Sequence, residues 1–263
     1  MKPHVLKLDP SKIDYEDVFF KVDEDITLHA WFLSAIKPAK GTVFFLHGNA
    51  QNISTHINSV YWLPAQGFNV FIWDYRGYGK STGSPSLAGI LADTENALGT
   101  LLKRNDIDPN KIIVFGQSLG ASLAIYAVAH TRYRSNIKAV IIDSAFSSYR
   151  AIAREKLSSF WLSWPLQWPL SFLIQDQYSP IDFVSAIAPI PMLFIYSDFD
   201  QVIPSHHGAA LYRAAREPKE KWVLKNTPHI QSVRSLSVRS DLVEYMETQL
   251  HVNSRTALPI TLP

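Results

Sequence analysis

Lys111-Ile112-Ile113-Val114-Phe115 runs directly into Gly116-Gln117-Ser118-Leu119-Gly120, and an alanine-rich stretch then continues to His130. The short apolar run reads as a buried strand, and Ser118–His130 reads as a helix packed on its sheet. A turn this tight forces its central residue into strained backbone angles and lifts that side chain off the sheet. Glycines flank it because a Cβ at either position would strike the neighbouring strand or helix. The Ser118 hydroxyl is thereby presented at the C-terminal edge of the sheet, beside the Leu119 N–H at the start of a helix. A plain Gly-rich turn with a helix-capping serine fits less well. Only 11 glycines occur in 263 residues, and two flank this one junction.

Working outward, the same pairing of buried run and punctuation recurs. Thr42–Leu46, Asn69–Trp73, Lys138–Ile142 and Met192–Tyr196 are apolar on both faces, and Lys221–Leu224 is a weaker example. Such runs belong to parallel strands covered by helices on each side. Asp17–Val22 and Ile26–Leu33, turning at Asp23-Glu24-Asp25, predict a hairpin ahead of them. Leu87, Ile90, Leu91, Thr94, Leu98, Leu101 and Leu102 mark one face of a helix that starts after Ser84-Pro85-Ser86. Pro204–Arg216 and Val238–Leu250 supply two more helices. The alternation predicts an α/β fold, a mostly parallel central sheet with helices on both faces. The rhythm breaks once, between Ala145 and Pro189, where about 45 residues separate successive strands. That spacing predicts a cap insertion over 145–189 within a single domain, 1–263.

Composition excludes several classes. Hydrophobic residues make up 47% and charged residues 18%, the balance of a folded chain with a large core. The net charge is +2 with no basic stripe, so nucleic acid is not an expected partner. Cysteine is absent, which removes disulfides, thiolate metal sites and a cysteine nucleophile. His206-His207 is not a metal-binding spacing, and no HExxH, P-loop or dinucleotide fingerprint occurs. No metal and no cofactor are expected. Met1–Ser11 has no apolar core of a signal peptide, so a cytoplasmic chain is expected. Leu157–Ile174 is uncharged for 18 residues, but two prolines, a glutamine and four serines argue against a membrane span.

At these residues the chain resembles the α/β-hydrolase superfamily, from about Asp17 to Leu250, and within it small serine hydrolases such as lysophospholipases and acyl-protein thioesterases. His47-Gly48-Asn49 follows a strand where the family has its second oxyanion donor. Asp74-Tyr75-Arg76-Gly77-Tyr78-Gly79-Lys80-Ser81 is similar to the turn after the next strand. Asp200-Gln201-Val202-Ile203-Pro204 is similar to the segment that carries the acid, and Asn226-Thr227-Pro228-His229 falls where the histidine loop belongs.

The resemblance implies a serine hydrolase that cleaves carboxylic esters or thioesters through an acyl-enzyme. It implies Ser118 as nucleophile, with the backbone N–H groups of Leu119 and Asn49 as the oxyanion hole. The family order of serine, acid and histidine selects among nine histidines. His4, His29, His47 and His56 precede the serine, His130 ends its helix, His206 and His207 crowd the acid, and His251 ends the last helix. His229 remains as the base. Asp200 is selected as the acid by the Val-Ile-Pro that follows it, with Asp198 and Asp143 as alternatives. His47 reads as structural, and Asp74 with Arg76 as a loop-bracing pair.

Two other readings stay open: a serine peptidase of the same fold, and a non-catalytic binding protein. The expected partner is a small-molecule or lipid acyl ester, with peripheral membrane contact through the cap. Trp161, Trp164 and Trp168 recur at i, i+3 and i+7, but Pro165 and Pro169 predict short helical pieces there and not one rod. Trp161 and Trp164 are the expected substrate contacts of the cap, either buried against the sheet edge or part of an apolar lid.

Overall fold

The computed structural model describes residues 14–36, 38–158 and 166–255. It opens on the expected hairpin: β1 (Glu16–Lys21) and β2 (Thr27–Leu33) run antiparallel. There follow β3 (Gly41–Leu46), the one-turn helix α1 (Ile53–His56), β4 (Phe68–Asp74), α2 (Leu87–Leu102), β5 (Ile112–Gln117), α3 (Leu119–His130) and β6 (Ile137–Asp143). The described residues between β6 and β7 (Met192–Ser197) form α4 (Tyr149–Ser158), α5 (Gln167–Ser171) and α6 (Pro180–Phe183); Pro169 lies inside α5 and does not end it, and Pro165 is outside the described residues. Then come α7 (Ser205–Ala214), β8 (Lys219–Leu224) and α8 (Leu236–Arg255).

The strands form one eight-stranded sheet in the order β1-β2-β4-β3-β5-β6-β7-β8. β2 is antiparallel to β1 and β4, and every other neighbouring pair is parallel. Side-chain alternation divides the core into two layers. Phe44, Leu46, Val114 and Ile142 pack with Leu91 and Leu98 of α2, Leu123 and Val128 of α3, and Leu211 of α7. Val43, Phe45, Ile113 and Phe115 point the other way, onto Ile53 of α1 and Leu242, Met246 and Leu250 of α8. Burial of each such side chain contributes roughly 1.5–3 kcal/mol relative to exposure, which is why the central strands carry apolar residues without alternation.

The chain leaves β3 toward β4 on one side and leaves β5 toward β6 on the other. Their C-terminal ends are neighbours, with Leu46 opposite Gly116. Loops that diverge from adjacent strand ends leave a crevice, and α/β sheets bind ligands there. The turn after β5 fits only with bare backbone. A Cβ at Gly116 would lie 2.5 Å from the Ala121 Cα, and one at Gly120 would lie 2.1 Å from the Leu46 carbonyl oxygen. Both obstacles are backbone, so no side-chain rotation relieves them. Gly120→Ala should therefore cost about 1–3 kcal/mol or more, lowering Tm by roughly 2–4 °C per kcal/mol. A thermal melt of the variant matching the wild type would show that α3 does not start against β3 this closely.

Candidate active site

Ser118 stands between β5 and α3 at φ 55° and ψ −118°, outside the helix it was expected to open. This strained backbone is held by the Ser118 N–H, which donates to the Asp143 carbonyl at 2.8 Å. The Ser118 Oγ lies 2.9 Å from His229 Nε2, and His229 Nδ1 lies 2.7 Å from Asp200 Oδ2. The second Asp200 oxygen accepts the N–H groups of Val202 (2.8 Å) and Ile203 (2.9 Å), so the acid's own loop fixes its carboxylate. Burial raises the Asp200 pKa, but the bonds from His229 and these two N–H groups outweigh it and hold it below 3.8. An ionised, acceptor-only Asp200 requires the hydrogen on His229 Nδ1, leaving Nε2 bare to receive the Ser118 proton.

The other two carboxylates weighed for the acid also act on the His229 loop, elsewhere. Asp198 Oδ1 accepts the Asn226 N–H at 3.0 Å, which fixes the start of the loop. Asp143 is buried at the end of β6, and its Oδ2 accepts from Ser232 Oγ (2.6 Å) and Gln117 Nε2 (2.8 Å). Ser144 Oγ donates to its Oδ1 at 3.0 Å. Burial raises the Asp143 pKa despite these three donors. Asp143 therefore joins the turn before Ser118 to the loop three residues beyond His229. The loop carries no glycine; Asn226 and Ile230 supply its positive φ angles, each at 51°.

The His47-Gly48-Asn49 loop lies against the serine, where a Cβ on Gly48 would sit 3.5 Å from the Ser118 Cβ. The segment after β4 braces it. The Tyr75 hydroxyl donates to the His47 carbonyl (2.6 Å), and the Tyr78 hydroxyl donates to Asn49 Oδ1 (2.8 Å). His47 Nδ1 lies 2.7 Å from the Gly48 carbonyl, and its ring stacks on Tyr75 at 4.2 Å. Burial and the neighbouring His56 depress its pKa to about 3, so His47 is a neutral brace. Asp74 and Arg76 both brace loops but not as a pair. Asp74 Oδ1 accepts the Ile53 N–H at 2.9 Å, while Arg76 holds Asp93 of α2 through two bonds of 2.6 Å. Leu119 opens α3, and the N–H groups of a helix's first turn have no carbonyl one turn earlier to bond. Trp161 and Trp164 lie outside the described residues.

One grouping was not foreseen. Glu155, His206 and His207 bring ligand-type atoms within 4.8 Å of one another, although the two histidines alone had been set aside on spacing. The Ser147 N–H donates to His207 Nδ1 at 3.1 Å, so that nitrogen is bare and Nε2 carries the hydrogen, which points at Glu155 Oε2 3.2 Å away. A metal needs the bare nitrogen at Nε2, so this arrangement is a tie between α4 and α7. His206 Nε2 adds a second bond to Glu155 at 3.0 Å. A cavity of about 460 Å³ opens between α2 and α3, but no residue of the Ser118–His229–Asp200 chain lines it.

With this geometry in hand, the comparisons with known proteins are specific. Residues 37–186 match the family described as serine aminopeptidase, S33. The chain is 37% identical over 227 residues to the uncharacterized protein YfhR of Escherichia coli K12, covering 85% of this chain and 76% of that protein. It is 34% identical over 220 residues to the alpha/beta hydrolase domain-containing protein WAV2 of Arabidopsis thaliana, covering 80% and 70%. Among solved structures, the esterase Pf2001 of Pyrococcus furiosus superposes with a TM-score of 0.75 at 20% identity, over 95% of this chain and 96% of that one. Est1E of Butyrivibrio proteoclasticus, solved with ferulic acid bound, gives 0.69 at 18% identity, over 89% and 99%. The fold is that of the α/β-hydrolases. The chain belongs to that superfamily and, within it, to the S33 serine aminopeptidase family whose match spans more than half of it.

Two measurements test the electrostatics. Replacing Asp200 with Asn should lower kcat by about 10⁴, because the amide favours the wrong histidine tautomer. Asp143→Asn should cost less and Asp198→Asn least, since an amide oxygen still accepts the Asn226 N–H. A different ranking of kcat would relocate the acid. The second concerns pH. Burial, opposed by Glu155, holds the His207 pKa below 6.5. As pH falls through that value the unfolded chain takes up a proton that the folded chain refuses, so stability falls. Thermal melts between neutral pH and about pH 5 should show a steeper loss for the wild type than for His207→Gln; parallel curves would remove His207 from the balance.

Proposed function

We propose that the protein hydrolyses carboxylic esters or thioesters through an acyl-enzyme on Ser118. The observation that carries this reading is the hydrogen-bonded chain from Ser118 Oγ through His229 to Asp200. A serine hydroxyl is a weak nucleophile until a base takes its proton. His229 Nε2 is the base, and Asp200 holds the ring and stabilises the imidazolium that forms. Ser118 Oγ attacks the acyl carbonyl, and the resulting oxyanion is received by the N–H groups of Leu119 and Asn49, each worth about 2.7–4 kcal/mol of barrier. Collapse expels the alcohol or thiol, which takes the proton from His229. A water deprotonated by the same histidine then releases the acid and restores Ser118.

The family's description favours a second reading, an aminopeptidase. Recognition of a free α-ammonium group calls for a carboxylate facing the serine. Asp200 and Asp143 are already engaged by His229 and by Gln117, Ser144 and Ser232. The segment from Leu157 to Gln175, read as part of the cap, carries no charge at all. An uncharged acyl ester suits these surroundings better than a charged amino terminus.

A series of p-nitrophenyl esters from acetate to palmitate, run beside aminoacyl p-nitroanilides, separates the two readings. Esters should turn over at least about tenfold faster in kcat/KM, a difference of some 1.4 kcal/mol in barrier; the reverse order would make the chain a peptidase. Ser118→Ala should abolish both turnover and labelling by a fluorophosphonate while leaving the melting temperature in place. Labelling that survives the substitution would mean that another residue is the nucleophile.

A further inference from the structure

Single apolar residues on a surface are ordinary, whereas a contiguous set of them marks contact with something. Within residues 166–174, Leu166, Trp168, Leu170, Phe172, Leu173 and Ile174 stand 38% to 77% exposed. No charge interrupts the sequence from Leu157 to Gln175. The cations come from the neighbouring helix. The Arg154 guanidinium lies 4.4 Å from the centre of the Trp168 ring, and that of Arg150 lies 5.5 Å from the centre of Phe172. Lys156 is exposed on the same helix. Two acids lie nearby, Glu155 bonded to His206 and His207, and Asp176 bonded to Ser148, Ser179 and the Arg150 N–H and acted on by the Arg150 charge, so three cations face two carboxylates.

We propose that this face, built from α5 and the residues after it with Arg150 and Arg154 of α4 alongside, docks the protein on the surface of an anionic lipid bilayer. Tryptophan and phenylalanine enter the interfacial layer, where an apolar ring gains from leaving water. Guanidinium groups stacked on those rings sit at the depth of the lipid phosphates and carboxylates, and the anionic surface potential draws them in. Charge separates this occupant from a second copy of the chain. A two-fold pairing through the face would bring Arg150, Arg154 and Lys156 of both copies into one interface. Docking is on the surface, since no described helix is long and apolar enough to cross a membrane. α4 is tied by Glu155 to the helix that follows the Asp200 loop, and Phe199 and Val202 of that loop are themselves exposed. A docked protein therefore holds the crevice near lipid. That the lipid also supplies acyl esters rests on the function proposed for Ser118; the docking itself does not.

Co-sedimentation of the full chain carrying Ser118→Ala tests this without turnover. Vesicles of phosphatidylcholine with about one third phosphatidylserine should bind it at least about tenfold more tightly than pure phosphatidylcholine. Raising salt to about 1 M, where the screening length shrinks to about 3 Å, should remove that advantage. Trp168→Ser with Phe172→Ser should lose about tenfold or more in binding with an unchanged thermal melt, and Arg154→Glu should lose preference for the anionic vesicles. Failure to sediment, equal binding to both vesicles, or full binding by the double variant would each overturn the proposal. So would a concentration-dependent dimer dissolved by the same substitutions in the absence of vesicle binding. Should the double variant fail to fold, the lipid and salt comparisons on the folded chain still decide. Fluorophosphonate labelling of the wild type is scored separately, so a chain that binds vesicles without labelling loses the reading of Ser118 and keeps this one.

Discussion

The whole site depends on one close approach of backbone to backbone, where α3 begins against the end of β3. At Gly120 the space left for a side chain is nil, because the Leu46 carbonyl oxygen would be 2.1 Å from its Cβ. That contact brings the start of α3 beside the His47-Gly48-Asn49 loop. With the helix start so placed, the short turn from β5 leaves Ser118 at φ 55°, and its N–H reaches the Asp143 carbonyl on the adjacent strand. The serine is lifted from the sheet because its neighbours on both sides have nowhere else to go. Strain at one residue is thus maintained by packing at another, which is how a folded chain keeps an unfavourable backbone angle.

The second constraint is on the histidine. Its loop follows an edge strand and lacks the glycines that relieve such turns, so positive φ falls on Asn226 and Ile230. Three carboxylates from two neighbouring strands hold it. Asp198 binds the Asn226 N–H, Asp200 binds the ring, and Asp143 binds Ser232 beyond it. A carboxylate accepts from several donors at once, so it suits the joining of backbone, ring and hydroxyl better than a neutral side chain does. Asp143 is the costly member, a buried acid whose pKa is raised. Its three hydrogen-bond donors offset that burial, and two of them, Gln117 and Ser232, lie on either side of the serine and histidine it aligns.

How far the sequence revealed this depends on the range of each interaction. Strands β3 to β7 are visible because both faces are buried and their apolar runs are unbroken. The strand-to-helix turn is visible because its glycines are close in sequence. Helix α4 is less so, since none of its residues is fully buried. The same reason shortens α8 on paper: its apolar stripe supports Val238–Leu250, whereas the helix spans Leu236–Arg255. Partners remote in sequence are hidden as well. Arg76 reaches Asp93 and not the adjacent-looking Asp74, and Glu155 meets His206 and His207 from 51 and 52 residues away. Asp200 could be separated from Asp198 and Asp143 only by resemblance, because all three stand at strand ends near one loop.

The Ser118 site and the exposed apolar face are built from different kinds of residue. The arrangement around Ser118 is set by backbone contacts, short loops and hydrogen bonds among residues of the sheet edge. Among the described residues between β6 and β7, α5 and the turn after it carry exposed apolar surface, and none bonds Ser118, His229 or Asp200. Glu155 and Ser147 link them to those three indirectly, through the helix that follows Asp200. Exposed apolar residues add little to the stability of an isolated chain, and a contiguous set of them marks contact with something. The residues around Ser118 are constrained by packing, whereas the exposed apolar residues of α5 are not. Likeness of fold at 20% identity or below carries the architecture across without the substrate.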